Sequence, residues 1–289
     1  MEGLIIKAIS SFYYVSSEDT VYECKARGIL RNNNISPVVG DRVVFSPLSD
    51  DKGVIEEVKT RKNLLKRPTV ANIDKLIIVS SPKTPAPDTL MIDRLIALAV
   101  KYDITPVIVF NKCDMGDMKE FADIYKSVGF DTFVVSAKEG TGVSLLKASL
   151  KGFVCAFAGN SGVGKSSLIN KMFGSINAKV GEVSLKLGRG KHTTRHTELF
   201  KIDDFYIVDT PGFAAFRFSD EFSVPLSLCQ VYPDFKDYIN TCRFSTCSHT
   251  CEPFCSLIDA VQNGKVNKNR YDNYIVLYNE IKESHKGER

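Results

Sequence analysis

The chain has 289 residues, room for two or three domains and a sizeable core, with 44% hydrophobic and 25% charged residues, the balance of an ordinary soluble globular protein. A net charge of +4 permits a polyanionic partner without requiring one. No window approaches the roughly 20 consecutive apolar residues that span a bilayer, and Met1-Glu2-Gly3 opens on a mixed polar stretch, so a cytoplasmic chain with no membrane partner is expected.

The first sixty or so residues read as short strands. Gly3 to Ser10, Phe12 to Val15, Thr20 to Lys25, Arg42 to Ser46 and Gly53 to Val58 are rich in β-branched or aromatic residues. Asn32-Asn33-Asn34, Gly40-Asp41 and Asp50 to Gly53 supply turn signals between them. Five strands without a helix point to a small barrel, either an OB-fold or a generic barrel with no binding role. Arg61 to Pro68 follows as a basic bridge.

Strand and helix then alternate. Lys75 to Ser81 and Pro106 to Phe110 are apolar runs of the kind buried in parallel sheets, with a helix over Asp88 to Tyr102 between them. Leu90, Ile92, Leu95, Ile96, Leu98 and Ala99 supply that helix's apolar face. Thr132 to Val135 and Phe153 to Ala158 continue the strands, and a helix starts near Lys165. This is the pattern of a doubly wound α/β domain.

Its motifs sit where strands end. Asn111-Lys112-Cys113-Asp114 follows the second apolar strand and has the form of an NKxD guanine box. The Asp114 carboxylate can accept hydrogen bonds from guanine N1–H and the exocyclic amine, Lys112 can lie along the base, and Asn111 can tie neighbouring loops together. Ser136-Ala137-Lys138, after the next strand, resembles the second guanine loop, with the Ala137 N–H facing the base O6. Gly159-Asn160-Ser161-Gly162-Val163-Gly164-Lys165-Ser166-Ser167 then matches a phosphate-binding loop between strand and helix. Glycines let its N–H groups turn inward as an anion nest, Lys165 should reach the β- and γ-phosphates, and Ser166 should ligate Mg²⁺. In an ordinary GTPase the phosphate loop precedes the guanine boxes. Here it follows them, which suggests circular permutation.

Gly188 to Arg195 reads as a switch in which Thr194, in preference to Thr193, completes the Mg²⁺ shell. A hairpin over Leu199 to Val208 leads into Asp209-Thr210-Pro211-Gly212, where Asp209 links to Mg²⁺ and the Gly212 N–H faces the γ-phosphate. The position after this box, which carries a water-orienting glutamine in many GTPases, is Phe213. His192 is the substitute for positioning or partly deprotonating water, the alternative being an exposed loop histidine without a role. The catalytic candidates are therefore His192, Lys165 and Thr194.

Beyond Phe213 the rhythm stops. Of eight cysteines, four are scattered and four crowd between Cys242 and Cys255. Cys242, Cys247, His249 and Cys255 can form a closed tetrahedral zinc site, with Cys251 a fifth candidate able to replace one of them. A helical tail is expected over Val266 to Lys282.

The series NKCD, SAK, GNSGVGKSS, GRGKHTTR, DTPGF and C-x4-C-x-H-x5-C resembles the bacterial small-subunit-dependent GTPases called RsgA (YjeQ or YloQ), over essentially the whole chain. The resemblance implies an OB-fold RNA-binding barrel over 1–66, a circularly permuted GTPase domain over 67–218 and a helical zinc-binding domain over 219–289. It implies one structural zinc ion on Cys242, Cys247, His249 and Cys255 with Cys251 a bystander, and Mg²⁺ bound with GTP. It also implies late maturation of the small ribosomal subunit, with subunit-stimulated hydrolysis of GTP to GDP and phosphate coupled to release. The chain is expected to act as a monomer. Basic residues expected at ribosomal RNA are Lys62, Lys66, Arg67, Lys186, Arg189, Lys191, Lys265, Lys268 and Arg270. Competing classes are a P-loop ATPase or kinase, opposed by the guanine boxes, and a zinc-dependent nucleic-acid module whose GTP site is only a ligand switch.

Overall fold

The computed structural model describes residues 1–28, 36–66, 69–83, 86–173, 197–209, 218–222 and 224–286. Strands β1 (Glu2–Ile9), β2 (Phe12–Ser17), β3 (Thr20–Ala26), β4 (Arg42–Pro47) and β5 (Lys52–Val58) pair in the order β1-β2-β3-β5-β4. β4 also pairs with β1, closing an OB-like barrel, as the five short strands separated by turn signals lead one to expect. Ile5, Val15, Cys24, Val43, Phe45 and Ile55 fill it, all fully buried.

The basic bridge is more than a linker. Leu64–Lys66 (β6) and Thr69–Ala71 (β7) form a hairpin that buries Leu65 and Val70. Three-residue strands are too short to show a period, so nothing local announces them. Arg61, at the head of the bridge, donates from Nε and Nη2 to the buried Asp41 carboxylate at 2.7 and 2.8 Å, fastening the bridge to the barrel.

Parallel strands β8 (Lys75–Ser80), β9 (Thr105–Phe110), β10 (Asp131–Val134), β11 (Val154–Ala158) and β13 (Phe205–Asp209) lie in the order β10-β9-β8-β11-β13. β12 (Glu198–Ile202) pairs antiparallel with β13 and, through Lys7 opposite Glu198, with β1, so one sheet runs from this domain into the barrel. Leu76, Ile77 and Ile78 on β8 are buried alike because both sheet faces are covered. Helices α1 (Thr89–Lys101), α2 (Lys119–Ser127), α3 (Val143–Ser149) and α4 (Lys165–Phe173) supply the cover. α2 and α3 are too short for a clear helical period and take their stability from packing: each buries just two side chains, Ala122 and Tyr125 on α2, Val143 and Leu146 on α3.

α1 is buried on two sides. Ile92, Leu95, Ile96 and Ala99 face the sheet, while Ala97 and Leu98 join the C-terminal core and Leu90 packs against its edge. That core is built from α5 (Phe218–Glu221), 3-10 turns over Pro225–Val231 and Pro233–Phe235, α6 (Ser256–Gln262) and α7 (Lys268–Ser284).

Arg270 corrects one expectation. It is no RNA contact, because it is fully buried between the two units. Its Nε and Nη2 donate to Asp234 at 2.9 and 2.8 Å, its Nη1 donates to Asp93 of α1, and Asn273 donates to the second Asp93 oxygen at 2.7 Å. Burial pushes the Asp93 carboxyl up to about 6 against the pull of the Arg270 guanidinium. Removing the cation strands two carboxylates out of water. Arg270→Met is therefore expected to lower the free energy of unfolding in urea by about 3–5 kcal/mol. A loss below about 1 kcal/mol would show that the cluster holds nothing together.

Candidate functional site

The five parallel strands end at one edge of the sheet, and the loops leaving β9, β10 and β11 carry the motif residues. The chain lays down β8, β9 and β10 outward, then returns past β8 to place β11. The crevice opens at that reversal, where doubly wound sheets bind ligands.

The loop from Gly159 to Gly164 lies tightly against its neighbours. Gly159 has φ +132°, and a Cβ there would come 2.1 Å from the Val79 carbonyl oxygen. At Gly164, φ +92°, a Cβ would come 2.4 Å from Asn111 Nδ2. Both positions need glycine for conformation and for space. α4 starts at Lys165, whose Nζ arches back to donate to the Gly159 and Asn160 carbonyls at 2.7 and 2.8 Å. Burial pulls this ammonium below its usual pKa, so an anion in the loop would restore charge balance. Ser166 and Ser167 begin the same helix, and Ser161 is exposed at the loop's crest.

Asn111 ties three segments together. Its Nδ2 donates to the Val163 carbonyl at 3.0 Å and the Gly164 carbonyl at 3.4 Å, while its Oδ1 accepts from Ala137 N–H at 3.0 Å. The side chain is 1% exposed, so these bonds are shielded from water. Lys112, in the left-handed region at φ +63°, donates from Nζ to the Gly162 carbonyl at 2.6 Å. Cys113 N–H bonds the Val135 carbonyl at 3.1 Å. Asp114 accepts from Ser136 Oγ at 2.6 Å, and that bond holds its carboxyl below the ordinary range. Lys138 is exposed beside it. The Ser136–Asp114 bond had no local signal, since it joins residues 22 apart in the chain.

Asp209 closes β13 next to β11. His192, Thr193, Thr194, Gly212 and Phe213 lie outside the described residues, as do Arg67, Lys186, Arg189 and Lys191. Lys62, Lys66, Lys265 and Lys268 are described, and Lys268 pairs with Asp272 at 2.6 Å.

In the C-terminal unit the ligand atoms of Cys242, Cys247, His249 and Cys255 lie within 4.8 Å of one another, and Cys251 is exposed outside the group. His249 Nδ1 is 3.4 Å from both Cys242 Sγ and Cys255 Sγ, and those two sulfurs are 3.8 Å apart. Bond lengths of about 2.3 Å to sulfur and 2.0 Å to nitrogen put tetrahedral edges at about 3.8 Å for two thiolates and about 3.5 Å for thiolate and imidazole. The four residues therefore can hold a metal ion. Burial lowers the His249 pKa, which favours the neutral ring that a metal ligand must be. The loop is braced by Tyr271 and Tyr274, whose hydroxyls donate to the His249 and Ser248 carbonyls at 2.9 and 2.7 Å. The helical spacing of the tail carries no sign that these tyrosines support the cluster.

Comparison with known proteins bears on both sites. A family model described as RsgA GTPase matches residues 58–219, and one described as RsgA N-terminal domain matches residues 2–55. The small ribosomal subunit biogenesis GTPase RsgA of Ruminiclostridium cellulolyticum is 43% identical over 289 residues, covering 97% of this chain and 94% of that protein. The protein of the same name from Geobacillus sp. is 42% identical, covering 98% of each. The crystal structure of YjeQ from Thermotoga maritima superposes with TM-score 0.83 at 36% identity, covering 97% of this chain and 98% of that one. That of YloQ, described as a circularly permuted GTPase, superposes with TM-score 0.82 at 33% identity, covering 98% and 95%.

Proposed function

The chain belongs to the RsgA GTPase family, and from that membership we propose that it hydrolyses GTP while bound to the small ribosomal subunit and assists that subunit's late maturation. The observation that carries the reading is the Asn111 side chain, which joins the loops bearing the phosphate-binding and guanine-reading motifs. Segments shuffled along the chain meet around one crevice. Binding of the subunit stimulates turnover, and conversion to GDP and phosphate promotes release.

The residue roles we assign rest on the sequence motifs and, for the described residues, on the contacts above. Gly159 to Ser167 surround the phosphates, with Lys165 exchanging its loop carbonyls for phosphate oxygens. Asp114 reads guanine N1–H and the amine, held in position and ionised by Ser136; the Ala137 N–H faces O6, and Lys112 and Cys113 flank the base. Ser166, Thr194 and Asp209 are the residues for Mg²⁺, which when bound neutralises charge developing between the β- and γ-phosphates. By their positions in the motifs, Gly212 is assigned to the γ-phosphate and His192 to positioning water. Residues 1–66 serve as the RNA-binding barrel, 67–218 as the GTPase domain and 219–289 as the zinc unit, with zinc held by Cys242, Cys247, His249 and Cys255. The soft donor set and the tetrahedral spacings favour zinc. Among the described residues no helix is long and apolar enough to cross a membrane.

Turnover measured with and without purified small subunits tests the proposal. Stimulation of at least about tenfold is expected, a barrier change of about 1.4 kcal/mol. Equal rates would reject subunit-coupled hydrolysis and favour a nucleic-acid module with GTP as a mere ligand.

A further inference from the structure

Two phenylalanines stand out to solvent beside the cysteine–histidine cluster. Phe254 is 68% exposed and Phe244 is 45% exposed. Arg243 lies against both rings, its guanidinium carbon 5.2 Å from the Phe254 centroid and 5.9 Å from the Phe244 centroid. Among the described residues no carboxylate pairs with Arg243. Single exposed apolar residues are commonplace, but two exposed rings that share one guanidinium bring aromatic faces and a positive charge together at the surface.

The backbone adds a second observation. Phe254 sits at φ +61°, a region in which a bulky side chain is a true outlier. The kink precedes Cys255, which belongs to the cluster and stands at the N-cap of α6. Glycine or asparagine would make that turn with less strain. Core packing does not account for the phenyl group either, since most of it faces water. What the ring adds is a π-face turned to solvent beside Arg243.

We propose that Phe244, Arg243 and Phe254 form a stacking platform for unpaired bases of single-stranded RNA. Splayed bases stack on aromatic rings and on guanidinium planes, and the cation also attracts the adjoining phosphates. An apolar protein surface would have to strip water from the unpaired guanidinium without compensation, which disfavours that occupant. The proposal rests on the reading of the chain as a small-subunit factor and assigns it an RNA contact of its own.

The test uses the full-length chain and a fluorescently labelled single-stranded adenylate oligomer at fixed salt, followed by anisotropy. Phe254→Ala is expected to weaken binding roughly five- to hundredfold, the usual effect of removing one stacking ring. Phe254→Trp should keep binding, and Phe254→Leu should behave like the alanine variant. Because Phe254 adjoins Cys255, Phe244→Ala provides an independent reading with the same expected loss. Metal content and GTP turnover without subunits should stay at parental values in all four. Binding of the oligomer by both alanine variants within twofold of the parent, or no binding by the parent, overturns the platform. Leucine serving as well as phenylalanine also overturns it and points to a protein partner. If subunits stimulate the parent's turnover while these substitutions change nothing, only the platform falls. If subunits fail to stimulate the parent, the small-subunit reading falls whatever the oligomer does.

Discussion

Asp114→Asn is expected to exchange guanine for xanthine as the preferred base. The carboxylate, accepting from Ser136 Oγ at one oxygen, has its remaining lone pairs free for two ligand donors. An amide in its place presents an N–H₂ group that faces the guanine amine donor to donor, whereas the xanthine C2 carbonyl accepts from it. A site built on hydrogen bonds rejects an unmatched ligand strongly, so GTP affinity should fall at least roughly hundredfold while XTP affinity rises. Competition between GTP and XTP for the purified variant measures this directly. A variant that still prefers GTP would remove Asp114 from base recognition. Melting at the parental temperature is expected, because the side chain is exposed and, among the described residues, bonds Ser136 and its own turn.

Cys247→Ser should release the metal and loosen the C-terminal unit. Small structural zinc sites bind with an apparent free energy of about 10–16 kcal/mol, which acts as folding free energy for the segment that holds the ion. Here that segment is irregular from Thr241 to Cys255, with the bracing hydroxyls of Tyr271 and Tyr274 as its main polar ties to α7. Loss of one ligand of four should destabilise the unit by about 5 kcal/mol or more, seen as a lower melting transition and a chelator-insensitive, metal-free protein. Cys251→Ser is the control. Its thiol is exposed outside the group of four, so metal content and melting should not change. Equal zinc content in the Cys247→Ser and parental proteins would exclude Cys247 as a ligand.

Much of the architecture was legible because it is encoded locally. Clusters of β-branched and aromatic residues between turn signals over residues 3–58 marked the barrel strands, and the apolar runs at 75–81 and 106–110 marked strands buried on both sides. The motif loops were legible for a related reason: each follows its own strand directly, so strand and loop together locate the site's edge. The β6–β7 hairpin and helices α2 and α3 were not legible, being too short for a period to emerge above chance.

The motif order, the permuted domain it implies and the four clustered metal-ligand candidates can be read from the chain directly, since they depend on residue type and short spacing. Tertiary structure alone decided that α1 is buried on two faces, that Asn111 clasps both loops, and that Arg270 is an interior cation and not a surface one. A charge in a basic run looks the same whether it meets water or a carboxylate. Arg270 finds Asp93 across 177 residues, and a pairing over that distance is set by how packed surfaces bring helices together, which no local pattern records.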